Sequence, residues 1–287
     1  MFKNAIKKNR EYVKPIVHGY KLPYSDEVYG GMGSIMIINE DGWILTCKHI
    51  AQNIILADKI MEKYQEVKKD LIANEVPPKK IYKKHGISEE TAVIFRNVFL
   101  NVVDTWTGMR VFMHKYLDMA LIKFDNPGNI MCSKFPVFAK EDAEVGESLC
   151  RLGYPYPEIN YFRYDHSLRD LIVKEGFDSN FQIFPLDGML TRYLIDDEKK
   201  LSLFEYTNPS LIGQQGGPII NKEGYVVGLQ IGSAGKDTGL DINTKVKRKT
   251  KEIEVKQYNF MNFGIGINVS TIKEFLKENE VEFKEEK

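Results

Sequence analysis

The sequence is poor in cysteine and has no apolar run long enough to cross a membrane. Its 287 residues contain three cysteines, an odd number without C-x-x-C spacing, which predicts neither a disulfide framework nor a zinc site. A membrane-spanning helix requires about 18–20 apolar residues, and no segment approaches that length. Residues 1–10 are rich in basic side chains and lack the apolar core of a secretory leader. These absences predict a cytoplasmic protein with reduced thiols and no membrane partner.

The chain also lacks an excess of charge of either sign. Its 40 basic residues balance its 40 acidic residues, so the net charge is zero. Proteins that bind polyanions usually carry a clear positive balance, and we therefore expect no nucleic-acid partner. The residue pattern predicts no cofactor and no metal. What is present, 43% hydrophobic and 28% charged residues, is the composition of a soluble globular protein with an ample core.

Most of the chain has the pattern of short β-strands separated by turns. The apolar runs Ile35–Ile38 and Trp43–Thr46 predict a hairpin, with Asp41-Gly42 as its turn. Similar short runs recur as far as Ile267, and few long helical patterns lie between them. This pattern predicts antiparallel barrels and not a parallel α/β sheet.

Composition and turn signals divide the chain into three parts. Residues 1–27 are polar and are predicted to form an N-terminal arm or a short helix before the first barrel. Residues 28–140 form the predicted first barrel, and residues 141–287 form the second barrel with a C-terminal helix. Ser270 is predicted to cap that helix, which ends at Glu278.

The first barrel is interrupted by a helical insertion at about residues 53–92. Apolar side chains at three- and four-residue spacing predict an amphipathic helix over residues 53–74, which Pro77-Pro78 ends before a basic loop. The insertion is either a partner-docking element or a packed surface helix, and we favour the packed helix. A second unusual segment, the Lys-rich residues 234–257, is predicted to be a surface loop or an extended hairpin.

Three motifs stand in a fixed order along the chain. His49 directly follows a predicted strand, and Asp118 opens the buried run Asp118–Ile122. The glycine-rich frame Gly213–Pro218 reads Gly-x-x-Gly-Gly-Pro and precedes another apolar run. The order of histidine, aspartate and glycine frame resembles that of the trypsin-like serine protease superfamily. The residues of the hairpin after Gly33 most resemble the first hairpin of the bacterial HtrA-like branch of that superfamily.

The resemblance covers roughly residues 30–279 and implies a fold. It implies an all-β protein of two antiparallel six-stranded β-barrels, with a helical insertion and a C-terminal helix. The separation of 69 residues between His49 and Asp118 is longer than the family usually shows, because the insertion lies between them.

The resemblance also implies a role for each motif residue. His49 would be the general base, and Asp118 would orient its imidazole. The backbone N–H groups of Gly213 and Gln215 would form the oxyanion hole. Gln215 occupies the place of the nucleophilic serine, and a primary amide is not a useful nucleophile at neutral pH. We therefore expect no ordinary serine-protease turnover.

Other residues near the motifs are weaker candidates for a replacement nucleophile. Ser210 lies upstream in the implied pocket wall, and Cys47 is expected to face the core two residues before His49. We favour neither of them.

Substrate recognition in the family uses the strand that follows the glycine frame. The corresponding segment is residues 226–232, and within it Gln230, Ile231 and Gly232 are expected to contact an extended peptide. Pro209 would form the floor of the pocket. Because Pro209 is uncharged, the sequence does not support a preference for Lys or Arg and favours an apolar pocket.

Three hypotheses follow for the function. The first is a serine protease homologue that is inactive because of Gln215 and that binds a peptide or protein ligand. The second is a serine endopeptidase whose serine has been substituted, which the retained His49 and Asp118 favour. The third, a structural barrel with chance motif matches, is the weakest.

Overall fold

The computed structural model describes residues 1–73, 76–155, 161–175, 181–195, 200, 202–248 and 251–287. Within these residues the chain is mostly β, with two large sheets and four helices. The helices are α1 (Lys3–Asn9), α2 (Lys48–Ala73), α3 (Pro78–Lys84) and α4 (Val269–Glu278). None of the helices in the described ranges is both long and apolar enough to cross a bilayer.

The first sheet is a closed six-stranded barrel with the strand order β4-β1-β2-β3-β6-β5. Its strands are β1 (Val13–Lys21), β2 (Val28–Ile37), β3 (Trp43–Thr46), β4 (Ile94–Phe99), β5 (Gly108–Met113) and β6 (Ala120–Asp125). The β2–β3 hairpin agrees with the sequence prediction. Gly42 takes a positive φ of 80° at its turn, a conformation that glycine adopts without steric cost.

The second sheet has eight strands in the order β13-β8-β11-β12-β15-β14-β7-β16 and curves as a half-barrel. Its strands are β7 (Val137–Phe138), β8 (Ser148–Gly153), β11 (Phe184–Leu194), β12 (Leu203–Tyr206), β13 (Pro218–Ile220), β14 (Val226–Arg248), β15 (Lys251–Asn268) and β16 (Lys284–Glu285). A separate hairpin joins β9 (Phe162–Asp165) to β10 (Asp170–Val173). The predicted all-β double-barrel architecture is confirmed.

Residues 1–27, interpreted from sequence as an arm, contain a strand of the first barrel. After α1, strand β1 pairs antiparallel with β2 from Val13↔Met36 to Lys21↔Val28 and with β4 on its other edge. The physical reason is burial: Val13, Ile16 and Val17 are fully buried. Polar residues are mixed with these apolar ones along β1, so composition alone does not indicate a central strand.

The insertion after β3 is helical, as predicted, but α2 begins earlier than expected. It starts at Lys48, directly after β3, so that His49 lies in its first turn. The buried face of α2 includes Tyr64, Val67 and Leu71, which join a core cluster of their own. This packing agrees with the packed-helix interpretation.

The basic run predicted as a loop instead contains helix α3. Pro78 is the first residue of α3, where its missing N–H is not needed. Ile81 and Tyr82 are buried against the cluster that covers α2, and this contact holds the short helix in place.

Near the C-terminus, the predicted helix is present and its cap differs. Asn268 is the N-cap of α4, and its side chain accepts a hydrogen bond from the Thr271 N–H at 3.2 Å. Ser270 instead binds Asp142, with 2.9 Å between its N–H and the carboxylate. Of the two alternatives for residues 234–257, the extended hairpin is present, because β14 and β15 pair as far as Arg248↔Lys251.

Candidate active site

His49 and Asp118 are brought together by the β3–β6 pairing of the first barrel. Asp118 precedes β6, which pairs with β3 through Thr46↔Ala120, and His49 follows β3. The His49 Nδ1 lies 2.7 Å from Asp118 Oδ2, and the His49 backbone N–H donates to Asp118 Oδ1 at 2.9 Å. The carboxylate therefore holds both the ring and the main chain of His49, and it fixes the orientation of the imidazole.

The electrostatics of this pair favour its charged form. The hydrogen bond to Asp118 raises the pKa of His49 above 6.5, and burial only partly opposes this shift. Burial raises the pKa of Asp118, but the hydrogen bonds from the His49 side chain and backbone outweigh it, so that the pKa falls below 3.8. A neutral imidazole at this position is a stronger base than an isolated histidine.

The Gly213–Pro218 segment forms a tight turn that requires glycine at two positions. Gly213 and Gly216 have positive φ values of 95° and 86°. A Cβ atom on Gly213 would lie 2.3 Å from the Tyr154 carbonyl oxygen, and one on Gly216 would lie 2.1 Å from the Ser34 carbonyl oxygen. The backbone of this turn therefore approaches its neighbours too closely for any side chain.

The turn leaves two backbone N–H groups available. Gly216 N–H donates to the Gln230 carbonyl at 2.8 Å, and Gln230 N–H donates to the Gly217 carbonyl at 3.0 Å. Among the described residues, the N–H groups of Gly213 and Gln215 donate no hydrogen bond. An oxyanion hole uses unpaired backbone N–H groups of this kind, and the role expected for Gly213 and Gln215 stays a prediction.

Ser34 ties this turn to the first barrel, a role that sequence reasoning missed. Its hydroxyl donates to the Gly213 carbonyl at 2.8 Å and accepts from the Tyr154 N–H at 3.0 Å. Its own N–H donates to the Gln215 carbonyl at 2.9 Å. The only sequence signal is a serine between Gly33 and an apolar run, which is too weak to indicate contacts across the barrels.

The side chain of Gln215 lies against the imidazole of His49. The carboxamide of Gln215 adds to the raised pKa of His49, with a smaller effect than the hydrogen bond from the ring to Asp118. The predicted residues His49, Asp118 and Gln215 therefore form one connected cluster.

Cys47 lies beside this cluster but is poorly suited to either nucleophilic or metal chemistry. The Cys47 sulfur and ligand atoms of His49 and Asp118 lie within 4.8 Å of one another, close enough for a metal ion. However, burial raises the pKa of the Cys47 thiol well above its ordinary value, with Asp118 adding to the shift. The thiol donates to the Gln230 carbonyl at 3.3 Å, so it is held as a neutral donor.

The expected substrate-contacting residues lie next to the glycine turn, and one of them points inward. Gln230 is buried, and its Oε1 accepts from the Tyr206 hydroxyl at 2.8 Å and from Arg151 Nη1 at 3.3 Å. Ile231 and Gly232 are partly exposed. The carbonyl of Pro209 accepts from the same Arg151 Nη1 at 2.7 Å. The predicted pocket floor is therefore in contact with a cation that comes from β8.

The raised pKa of His49 gives a first test of this geometry. We expect the His49 imidazole to titrate above 6.5 in NMR spectra, because the Asp118 carboxylate stabilises the protonated ring. His18 is the internal control: burial lowers its pKa despite its hydrogen bond to Asn97, so it should titrate below 6.5. Asp118→Asn should lower the pKa of His49. A His49 pKa at or below that of His18 would contradict the geometry.

The same pair predicts a direction for stability with pH. The raised pKa of His49 contributes stability that is present below about pH 6.5 and is lost as pH rises through the folded value. The lowered pKa of Asp118 contributes stability that is present above about pH 4 and is lost as pH falls. The contribution of the pair should therefore be greatest between about pH 4 and pH 6.5, which urea denaturation across this range measures.

Comparison with known proteins agrees with the fold and with the order of the motifs. The family profile of the trypsin-like peptidase domain matches residues 31–229, a range that includes His49, Asp118 and the Gly213–Pro218 turn. Comparison with curated proteins gives no match. The profile covers more than half of the chain, and the chain therefore belongs to the trypsin-like peptidase family.

Proposed function

We propose that this protein binds an extended peptide or protein segment in the cleft beside His49 and does not hydrolyse it. The observation that carries the proposal is the residue at position 215, a glutamine in the glycine turn beside the His49–Asp118 pair. Gln215 stands where the family places its nucleophilic serine, and a primary amide is not a useful nucleophile. The site retains a base, an orienting acid and two free N–H groups, and it lacks the atom that attacks.

No neighbouring side chain in the described part of the chain supplies a substitute nucleophile. The Cys47 thiol is buried and donates to a backbone carbonyl, so it neither ionises readily nor reaches the cleft. The Ser34 hydroxyl is buried and bound to the main chain of Gly213 and Tyr154. Ser210 accepts a hydrogen bond from the Gln230 amide. Each candidate is therefore engaged in a structural contact.

Binding is supported by an unpaired strand edge next to the glycine turn. Beyond Gln230, β14 pairs with β15 on one side, and within the described residues no strand pairs with its opposite edge. An extended peptide can add to such an edge through main-chain hydrogen bonds. The N–H groups of Gly213 and Gln215 lie beside this edge and offer two further donors for a peptide carbonyl.

The test measures binding and cleavage on the same peptides. We expect labelled, unfolded peptides to bind, measured as an increase in their fluorescence anisotropy. Mass spectrometry after prolonged incubation should show that the same peptides remain intact. Peptides with N-methylated backbone amides are the matched control, because they keep their side chains and lose the donors for strand addition. Cleavage of the pool by the wild-type protein would refute the proposal, as would equal binding of methylated and unmethylated peptides.

A second candidate function is a serine endopeptidase whose serine has been replaced at position 215. The specific observation in its favour is the intact His49–Asp118 pair, with both the ring and the backbone N–H of His49 bound to one carboxylate. A binding protein has no chemical need for this pair. The two candidates differ in what a serine at position 215 would do.

Two finer assignments accompany the proposal. We place the chain nearest the HtrA-like branch, on the basis of the hairpin from Gly33 to Thr46 and the Gly264–Asn268 segment. We also propose a cytoplasmic location, which the three free cysteines support, since reduced thiols are usual in that compartment.

A further inference from the structure

Arg151 is a buried cation with unsatisfied hydrogen-bonding capacity. It lies on β8 and is only 1% exposed. Its Nη1 donates to the Pro209 carbonyl and to Gln230 Oε1, and its guanidinium carbon lies 4.6 Å from the centre of the Tyr206 ring. Its Nε and Nη2 atoms are buried without any partner among the described residues. Two of its polar nitrogens are therefore buried with their hydrogen-bonding capacity unused by the described residues.

The buried charge of Arg151 has no anionic side chain beside it among the described residues. Three other lysine or glutamate side chains are buried in the described part of the chain, and each has an oppositely charged side chain beside it. These pairs are Lys21–Asp26, Glu205–Arg192 and Lys273–Glu285. Of these four buried charges, only Arg151 lacks such a neighbour in the part of the chain that the structure describes, although a guanidinium remains charged in a protein interior. An unpaired buried charge is strongly unfavourable, so a binding anion would be stabilised there.

A continuous series of polar groups leads from the protein surface to Arg151. The exposed Ser233 hydroxyl accepts from the Ser210 N–H at 2.5 Å, and the Ser210 hydroxyl accepts from the Gln230 amide. Gln230 in turn contacts Arg151. The hydroxyls and the amide are donors that suit a carboxylate, and the guanidinium stands at the inner end of the series.

We propose that Arg151 determines the specificity of this cleft by selecting a peptide with a side-chain carboxylate, glutamate or aspartate. This inference rests on the proposed peptide-binding function. The incoming carboxylate replaces the Ser210–Ser233 contact, and it receives charge-assisted hydrogen bonds from Nε or Nη2 of Arg151. This preference differs from the apolar pocket that the uncharged Pro209 predicts, because the cation comes from a strand 58 residues earlier in the chain.

The test uses matched peptides that differ at one internal position, with both termini blocked. We expect the wild-type protein to bind the Glu peptide about tenfold or more tightly than the Gln peptide, because only the former carries a charge for Arg151. A peptide with no acidic side chain and a free C-terminal carboxylate is a separate arm. If only this last peptide gains affinity, the side-chain assignment is wrong.

Substitutions assign the preference to Arg151. Arg151→Met keeps the side-chain volume and removes the charge. It should bring the ratio of affinities for the Glu and Gln peptides to about one while the Gln peptide still binds. Arg151→Lys retains a cation and should keep part of the ratio. Arg110→Met is the control, because Arg110 is exposed and pairs with Asp125 in the first barrel. Circular dichroism verifies the fold of each variant.

The outcomes separate the two proposals. Equal binding of Glu and Gln peptides by the wild-type protein would overturn the role of Arg151 and leave the peptide-binding function intact. A Glu preference that persists in Arg151→Met would also overturn it. If no peptide of either kind binds, the peptide-binding function fails and the specificity assignment falls with it.

Discussion

A Gln215→Ser variant is expected to cleave the peptides that we propose the wild-type protein binds without cleaving. Serine would place a hydroxyl beside the His49 imidazole, the predicted base, which Asp118 already orients through a hydrogen bond of 2.7 Å. In serine proteases, loss of the nucleophile alone costs on the order of 10⁶ in turnover, with residual catalysis from the oxyanion hole. We expect a gain of at least about 10³-fold, since the N–H groups of Gly213 and Gln215, the predicted oxyanion donors, have no acceptor among the described residues.

Two further variants make this result interpretable. Gln215→Ala removes the amide without adding a nucleophile and should remain inactive. Gln215→Ser combined with His49→Ala should lose the gained activity, because His49 is the predicted base and lies beside position 215. Cleavage is measured on unfolded protein by mass spectrometry, which also reports the residue before each cut. A serine variant as inactive as the alanine variant would contradict an otherwise competent site and remove the support for the endopeptidase alternative.

The second large expected effect concerns the stability of the glycine turn. Gly216→Ala should lose about 3 kcal/mol or more of unfolding free energy, because two costs add. The first is its φ of 86°, which costs a residue with a Cβ about 1–2 kcal/mol. The second is overlap, since the new Cβ would lie 2.1 Å from the Ser34 carbonyl oxygen and 2.4 Å from Thr46 Oγ1. A backbone carbonyl cannot rotate away as a side chain can.

The chain contains glycines that separate these two costs. Gly146 has a φ of 93°, and a Cβ added to it would have no atom within 4 Å, so Gly146→Ala measures the conformational cost alone. Gly232 has neither a positive φ nor a near neighbour, and Gly232→Ala should change stability by less than about 0.5 kcal/mol. Urea denaturation measures all three. A Gly216→Ala loss no larger than that of Gly146→Ala would show that the close approach is wrong.

The features predicted correctly from sequence depend on short-range patterns. The β2–β3 hairpin follows from two apolar runs around Asp41-Gly42, and α2 follows from its three- and four-residue spacing. The order of His49 and Asp118 relative to the glycine frame predicts that they act together, and they lie within hydrogen-bonding distance. The hairpin and the helix are each encoded by one continuous segment, whereas the pairing of His49 with Asp118 follows from the order of the motifs along the chain.

The features that sequence could not predict depend on contacts between distant segments. Strand β1 is central because β2 and β4 cover both its edges, and its own polar residues conceal this position. The sequence around Arg151 does not indicate that this side chain contacts Pro209 and Gln230. Ser34 matters only because the second barrel brings Gly213 to it. Local sequence patterns do not predict these contacts, because the residues involved are distant in the chain.

The contacts between Ser34 and the glycine turn do not depend on the side chain at position 215. Ser34 binds the carbonyl of residue 215 and the carbonyl of Gly213, and neither bond involves the side chain at position 215. These hydrogen bonds, which shape the turn, can therefore form with a different side chain at position 215. Replacement of the side chain at position 215 leaves in place the hydrogen bonds that join the two barrels at this turn. On the proposed function, an ancestral enzyme could lose its nucleophile in this way and keep the shape of its ligand-binding cleft.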